Sequence, residues 1–391
     1  MVNLLLVSAE TSPDDPMPTR VSRIARILGR RGHRIFLLCN AGHATGSCVG
    51  SLFPDVIVRE GVTWIFPPTF RLPSVSGFLK VMQSFWNAVS SCISAMVFLG
   101  LRGLRVDAVY SSTAQSQGLI ATVLSAIWHV PLIVDYGDPS FARDAGLVRK
   151  IGLLLEKISL NRSDAVISSD PVISKYAYSI CGKMPILLPN GYDQDLFPST
   201  TCHSQPSSSD RFVTFVGKID TSVYRLDVLL LASRRVIGAI PETRFRLIGS
   251  GPDIAKLRHL ALELGVQRSI DLVGPIPHNE VASWICEAEV CVHMTNDTCL
   301  GMKVMEYMAS GKPIVIAAPW WDKYDSVINS GLNCITVPLD PDALATAILR
   351  VMQDGSCAAY LGRNAQETAS NCSWDEISET LIHVVSDLIR R

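Results

Sequence analysis

Residues 4–39 read LLLVSAETSPDDPMPTRVSRIARILGRRGHRIFLLC, and their pattern decides the fold. The apolar run from Leu4 to Ser8 suits a buried strand, and a polar loop from Glu10 to Pro18 follows it. From about Thr19 to Arg31 apolar residues recur at helical spacing, until Gly32 stops the helix. A second strand, Arg34 to Cys39, completes a β–α–β unit. Such a unit dictates a parallel sheet with its ligand crevice at the carboxyl ends of the strands.

The alternation continues outward. Strand-like runs recur at Ala108 to Tyr110, Leu132 to Asp135, Ala165 to Ser168 and Ile186 to Leu188, with helical stretches between. PSTTCHSQPSSSD, residues 198–210, then breaks all periodicity and has the composition of a linker or long exposed loop. Beyond it strands fit Phe212 to Val216, Arg244 to Ile248, Ile270 to Val273, Val290 to Met294, Ile314 to Ala317 and Cys334 to Val337. Helices fit Arg225 to Ile237, Asp253 to Leu264, His278 to Glu287, Gly301 to Ser310 and Asp340 to Met352. The reading is an α/β chain of two Rossmann-like domains, residues 1–200 and 201–373. Periodicity leaves open whether the last helix, about 374–391, crosses back to the first domain.

Composition narrows the function. A formal net charge of -1 on 391 residues argues against an electrostatic nucleic-acid binder. Eleven cysteines without a C-x-x-C spacing read as reduced thiols, with neither a metal nor a disulfide framework expected. The N-terminus lacks the basic region of a signal peptide, so a cytoplasmic location is expected. One segment stands apart: Val81 to Leu101 has no charged residue and is flanked by Lys80, Arg102 and Arg105. Met82, Phe85, Trp86, Val89, Ile93, Met96 and Val97 form a helical stripe along it. Three readings stay open: a helix packed on a sheet, a helix lying peripherally on the inner face of a membrane, and a membrane span.

Two α/β domains facing each other across a cleft suit a phosphate-bearing ligand, because glycine turns and helix N-termini offer free N–H groups. Gly217-Lys218 ends one strand, Gly249-Ser250-Gly251 ends the next, and Gly301 opens the helix that carries Lys303 and Glu306. A lysine at a helix start opposes the macrodipole unless an anion sits there. Glu306, one turn on, can accept hydrogen bonds from vicinal hydroxyls such as those of a ribose. Lys303 and Glu306 read equally well as an ordinary i, i+3 surface pair, worth about 0.2–0.5 kcal/mol.

These pieces together resemble a known family. FVGKIDTSVYRLDVLLLA, FRLIGSGP, IDLVGPIPHNEVASWICEAEVCV and GMKVMEYMASGKPIVIA occur in the order of the donor half of glycosyltransferase family 4, the retaining GT-B group. TRVSRIARILGRRGHRIFLL, SDAVISSDPVISKY and ILLPNGYDQDLF resemble its first half. The resemblance implies a GT-B enzyme that passes a sugar from a nucleotide-diphosphate sugar to an acceptor hydroxyl, with retention and without metal or other cofactor. The implied acceptor is a saccharide or a lipid-linked glycan. Lys218 falls on the family's diphosphate-binding arginine, and Tyr224 or Arg225 lies near the place of its partner lysine, Arg225 being favoured because it retains the charge. Glu306 falls on the ribose-holding glutamate, Gly301 on the glycine beside the diphosphate, and Pro275 and Ile276 where the chain passes the base. Gly217, Gly249, Gly251, Leu300 and Lys303 complete the implied donor side, and Lys218 and Glu306 are its catalytic candidates.

Three departures accompany the resemblance. Thr298, with Asp297 beside it, stands where the family often has a sugar-reading glutamate. A bacterial subgroup acting on lipid-linked saccharides also lacks that glutamate, and GMKVMEY is close to its motif. VDYGDPS resembles that subgroup's D-x-R-D-x-x-P and makes Asp138 an acceptor-side acid, although a turn aspartate is as good a reading. The first loop, PDDPMPTR, lacks the family's two glycines and leaves Thr19 and Arg20 as acceptor-side contacts. Two other classes fit this architecture: a nucleotide-sugar 2-epimerase, for which His278 and His293 are the local acid/base candidates, and a catalytically weakened sugar-binding relative.

Overall fold

The computed structural model describes residues 1–9, 12–13, 19–39, 54–68, 78–137, 146–198, 211–296, 300–319 and 327–391. The chain forms two compact units, Met1–Pro189 with Trp374–Arg391, and Asn190–Ser373.

In the first unit the strands are β1 (Asn3–Ser8), β2 (Arg34–Cys39), β3 (Asp55–Arg59), β4 (Val62–Phe66), β5 (Ala108–Ser111), β6 (Leu132–Asp135), β7 (Ala165–Ser168) and β8 (Ile186–Leu187). They lie in the order β3-β4-β2-β1-β5-β6-β7-β8, so the direction of winding reverses between β1 and β5. Leu4, Leu5, Leu6 and Val7 of β1 are fully buried, as a central parallel strand covered on both faces requires. The strands foreseen from sequence are present. The β3–β4 hairpin was not foreseen, and it is the antiparallel pair of this sheet. It turns through Glu60 and Gly61, both at positive φ. Its Glu-Gly turn lacks the asparagine or aspartate that usually marks such turns.

The Phe78–Leu101 helix packs against β2, β4 and the Ser116–Trp128 helix. It therefore belongs to the helical layer of this unit. Its buried side, however, is Ala88, Ser91, Ser94, Ala95, Phe98 and Leu99, and not the apolar stripe that the sequence displays. The Trp374–Arg390 helix belongs to the same unit and lies on the Arg20–Arg30 helix. Trp374 is buried, with the guanidinium groups of Arg20 and Arg23 5.9 and 5.7 Å from its ring centre.

The second unit holds β9 (Arg211–Val216), β10 (Thr243–Ile248), β11 (Ile270–Gly274), β12 (Ala288–Met294), β13 (Ile314–Ala317) and β14 (Ile335–Val337). Their order is β11-β10-β9-β12-β13-β14, all parallel. This is the doubly wound dinucleotide-fold order, with its switch point between β9 and β12. Phe215, Leu229, Phe245 and Leu344 pack one face, and Ile248, Val304, Tyr307 and Ile316 pack the other. The unit begins at Asn190, ahead of the boundary expected at 200. The cause is local: Tyr192 and Phe197 are anchored in this unit's core, whereas the composition changes only from Pro198 onward. Cys286 is disulfide-bonded, which corrects the expectation of reduced thiols at that position.

Candidate functional site

In the second unit the foreseen residues gather where the fold places a crevice, at the carboxyl ends of β9 to β12. Gly217 and Lys218 leave β9, and the Lys303–Ala309 helix follows β12. Every residue of that helix from Val304 onward is buried, so packing holds it in place without a side-chain N-cap. Tyr307 fixes it against β9, because its hydroxyl accepts a hydrogen bond from the Val216 amide at 2.7 Å. Nothing in the sequence marks Tyr307 for this role, although it stands beside Glu306 in the same motif.

Lys303 and Glu306 meet at 2.7 Å, as their i, i+3 spacing allows. The pair is not the surface one that was the ordinary reading. The Glu306 side chain is 2% exposed and that of Lys303 18%. A carboxylate so deep costs free energy unless it is paired, and one of the ammonium's three donors provides the partner. The other two foreseen cations also have carboxylate partners. Lys218 Nζ lies 2.8 Å from Asp220 Oδ2, and Arg225 grips both oxygens of Asp227 at 3.1 Å. The hydrogen bond from Lys218 leads the causes that hold the Asp220 carboxyl down at about 2. Arg225 occupies a left-handed backbone conformation, φ 44°, between a helical turn and the Leu226–Ala239 helix.

The glycine turns have a second explanation. The loops after β9, β10 and β11 are laced by hydrogen bonds from Gly217 N to Ile248 O, Ile219 N to Ser250 O and Gly249 N to Gly274 O. A Cβ on Gly249 would lie 1.8 Å from the Gly217 carbonyl oxygen, and one on Gly251 2.1 Å from that of Ile219. Backbone packing alone therefore demands glycine at both positions. Ile276 is half-buried against the core, Pro275 is exposed, and the Leu300 carbonyl accepts from Asn190 Nδ2 at 3.2 Å.

Gly301 lies over His293. A Cβ there would be 3.0 Å from the imidazole Cε1, and Tyr224 meets the same ring edge-on. His293 is a β12 residue, 2% exposed, and neither ring nitrogen has a hydrogen-bond partner among the described residues. Burial pushes its pKa down to about 4, so the ring is neutral near pH 7. His278, the other histidine considered, opens a short 3-10 turn and is half-buried.

On the first unit, Thr19 caps the Arg20–Arg30 helix by accepting from the Ser22 amide. Arg20 is committed to the protein: Nε to Asp135 at 2.7 Å, and the two terminal nitrogens to the carbonyls of Pro189 and Leu188 at 2.7 and 2.9 Å. Tyr110 donates to the same Asp135 oxygen. Burial, and then the Asp135 charge, push the Tyr110 pKa well above its usual value. Arg20 thus joins the ends of β6 and β8 to a helix start. Asp138, Asp297 and Thr298 lie outside the described residues.

Residues 17–180 match the family described as Glycosyl transferase 4-like domain, and residues 210–354 match Glycosyl transferases group 1. A D-inositol 3-phosphate glycosyltransferase of Thermobispora bispora is 28% identical over 191 residues, 46% of this chain and 44% of that protein. The chain thus matches less than half the length of that relative. Among solved structures, sucrose-phosphate synthase from Thermosynechococcus elongatus superposes with a TM-score of 0.76 at 19% identity, covering 100% of both chains. Anabaena HepE, in complex with UDP and glucose, gives 0.69 at 17% identity, covering 99% of this chain and 100% of its own. These likenesses place both units in the GT-B fold. With glycosyltransferase domains matched in each unit, the chain belongs to the group 1, family 4-like glycosyltransferases.

Proposed function

We propose that this protein transfers a sugar, with retention, from a nucleotide-diphosphate sugar to a hydroxyl of a saccharide or lipid-linked glycan. The observation that carries the reading is the buried Glu306, paired with Lys303 on the helix that follows the switch-point strand β12. A carboxylate held there suits the two hydroxyls of a ribose. HepE, solved with UDP and with UDP-glucose, supports a uridine nucleotide as the first donor to try.

In this reading Lys218, Arg225 and Lys303 gather positive charge around the diphosphate. As the glycosidic C–O bond breaks, they stabilise the charge that builds on the leaving phosphate. Each exchanges part of its present carboxylate contact for phosphate oxygens. The Gly217 and Gly301 backbones approach the diphosphate, Pro275, Ile276 and Leu300 flank the nucleoside, and the sugar-reading role falls to Thr298 by its place in the sequence. Gly249 and Gly251 support that arrangement through the loops they join. On the acceptor side Asp138, or the departing phosphate itself, takes the hydroxyl proton. Thr19 and Arg20 serve by shaping the first unit beside it.

The test is turnover of a panel of nucleotide sugars with saccharide and lipid-linked acceptors, following nucleoside diphosphate release and the anomeric configuration of the product by NMR. Lys218→Ala is expected to cut kcat about 100-fold or more, by analogy with removal of one oxyanion donor. Inverted product would reject retention. Epimerised nucleotide sugar without transfer would replace the reading by an isomerase.

A further inference from the structure

The Phe78–Leu101 helix sits upside down by the usual rule. Helices of a soluble α/β layer turn their large apolar residues to the sheet and their small polar ones to water. Here Ser91 and Ser94 are buried, with Ala88 and Ala95 beside them. Met82, Phe85, Trp86 and Ile93 instead stand 50, 61, 59 and 52% exposed. These four fall on one stripe at three-, four- and seven-residue steps, and half-buried Val89, Met96 and Val97 continue it. An aromatic pair so exposed at the centre of a stripe marks a surface that meets something apolar.

The neighbouring helices extend the surface. Ser116–Trp128 packs beside it and shows Val123 and Ile127 to solvent, and Gly146–Arg162 packs beside that and shows Leu147, Leu154 and Ile158. The charge around these residues is one-sided. Between Met82 and Asp107 the sequence contains no acidic residue, whereas Arg102 and Arg105 are basic. Helix Ser116–Trp128 has no charge at all. On Gly146–Arg162 the one carboxylate, Glu156, is buried, and Lys150, Lys157 and Arg162 flank the exposed stripe. Arg102 closes the first helix with its guanidinium 4.4 Å over the Phe98 ring.

From this combination we infer that the helical layer of the first unit docks on an anionic lipid surface. The aromatic and aliphatic stripe enters the headgroup boundary, and the basic residues meet lipid phosphates. A spanning role does not fit, because the inner side of the helix is packed against β2, β4 and Ser116–Trp128. A two-fold pairing of this face with a second copy would set each basic rim against its own like. This inference stands on the first unit alone and does not depend on the donor or acceptor proposed above.

The experiment is co-sedimentation of the full-length protein with vesicles of phosphatidylcholine alone and of phosphatidylcholine mixed with phosphatidylglycerol. Binding to the mixed vesicles is expected, with little to the neutral ones. The triple variant Lys150→Gln, Lys157→Gln, Arg162→Gln should weaken it about 100-fold, at about fivefold for each basic residue. Phe85→Ser with Trp86→Ser should abolish it while the thermal melt stays unchanged, since both side chains are exposed. In parallel, mixed vesicles should shift tryptophan emission to the blue in the wild type and not in Trp86→Phe. Absence of vesicle binding, binding indifferent to both sets of substitutions, or a dimer that Phe85→Ser dissolves without any lipid binding would each overturn the inference.

Discussion

Glu306 owes its place to four neighbours that sequence spacing alone sets. Lys303, one turn earlier, supplies the countercharge; Tyr307, one residue on, ties the helix to the Val216 amide; Val304 and Met305 anchor its first turn in the core. The motif that displays these residues was legible in the sequence. Their depth was not, because i, i+3 pairs look alike on a surface and in a core. His293 teaches the same lesson. It was identified as a strand residue, but nothing in its neighbours announces that both ring nitrogens lie buried and unpaired among the described residues. That burial has a measurable consequence. The folded imidazole takes a proton only at about pH 4, whereas the unfolded one does so near pH 6.5. Above pH 6.5 both states are neutral and the group has no effect on stability. As the pH falls from about 6.5 to about 4 the unfolded state binds the extra proton, and the fold should lose on the order of 3 kcal/mol. Denaturant melts at pH 7 and pH 4.5 should show this fall in the wild type and a smaller one in His293→Leu.

At the scale of elements, hydrophobic alternation located the parallel strands, because a strand covered on both faces must be a continuous apolar run. It could not say which way a helix faces. The Phe78–Leu101 stripe has the period of a helix, but periodicity is blind to whether the sheet lies under the stripe or opposite it. The β3–β4 hairpin escaped because its turn residues are atypical. The glycines after β9 and β10 were legible as turns but ambiguous in purpose, since close approach to a phosphate and close approach of two loops call for the same residue. The structure shows the second purpose directly at Gly249, where φ is 143° and a Cβ would strike the Gly217 carbonyl. Gly249→Ala should therefore lower the melting temperature of the protein in the absence of any nucleotide, by several degrees or more, through forced separation of the two loops. An unchanged melt, with only nucleotide binding impaired, would return that glycine to a purely ligand-facing role.

Across the whole molecule, both sheets reverse their winding next to their first strand, β1 in one unit and β9 in the other. Doubly wound sheets open their crevice at such a switch point, and the residues foreseen for the donor follow the ends of the second unit's strands. Duplication of this architecture was legible from end to end. The exact seam was not, because Tyr192 and Phe197 commit the chain to the second unit before its composition changes, and because the Trp374–Arg390 helix returns to the first unit through packing that leaves no local signature. The central claim, that Glu306 is the nucleotide-holding carboxylate of a donor site, is tested most directly by isothermal titration of UDP, ADP and GDP and their glucose conjugates into wild type and Glu306→Gln. The account predicts saturable binding of one nucleotide series by the wild type. It also predicts at least tenfold weaker binding by Glu306→Gln, since a hydrogen bond to a charged group contributes about 1.5–3 kcal/mol. Equal affinity of the two proteins, with both still folded, would contradict it.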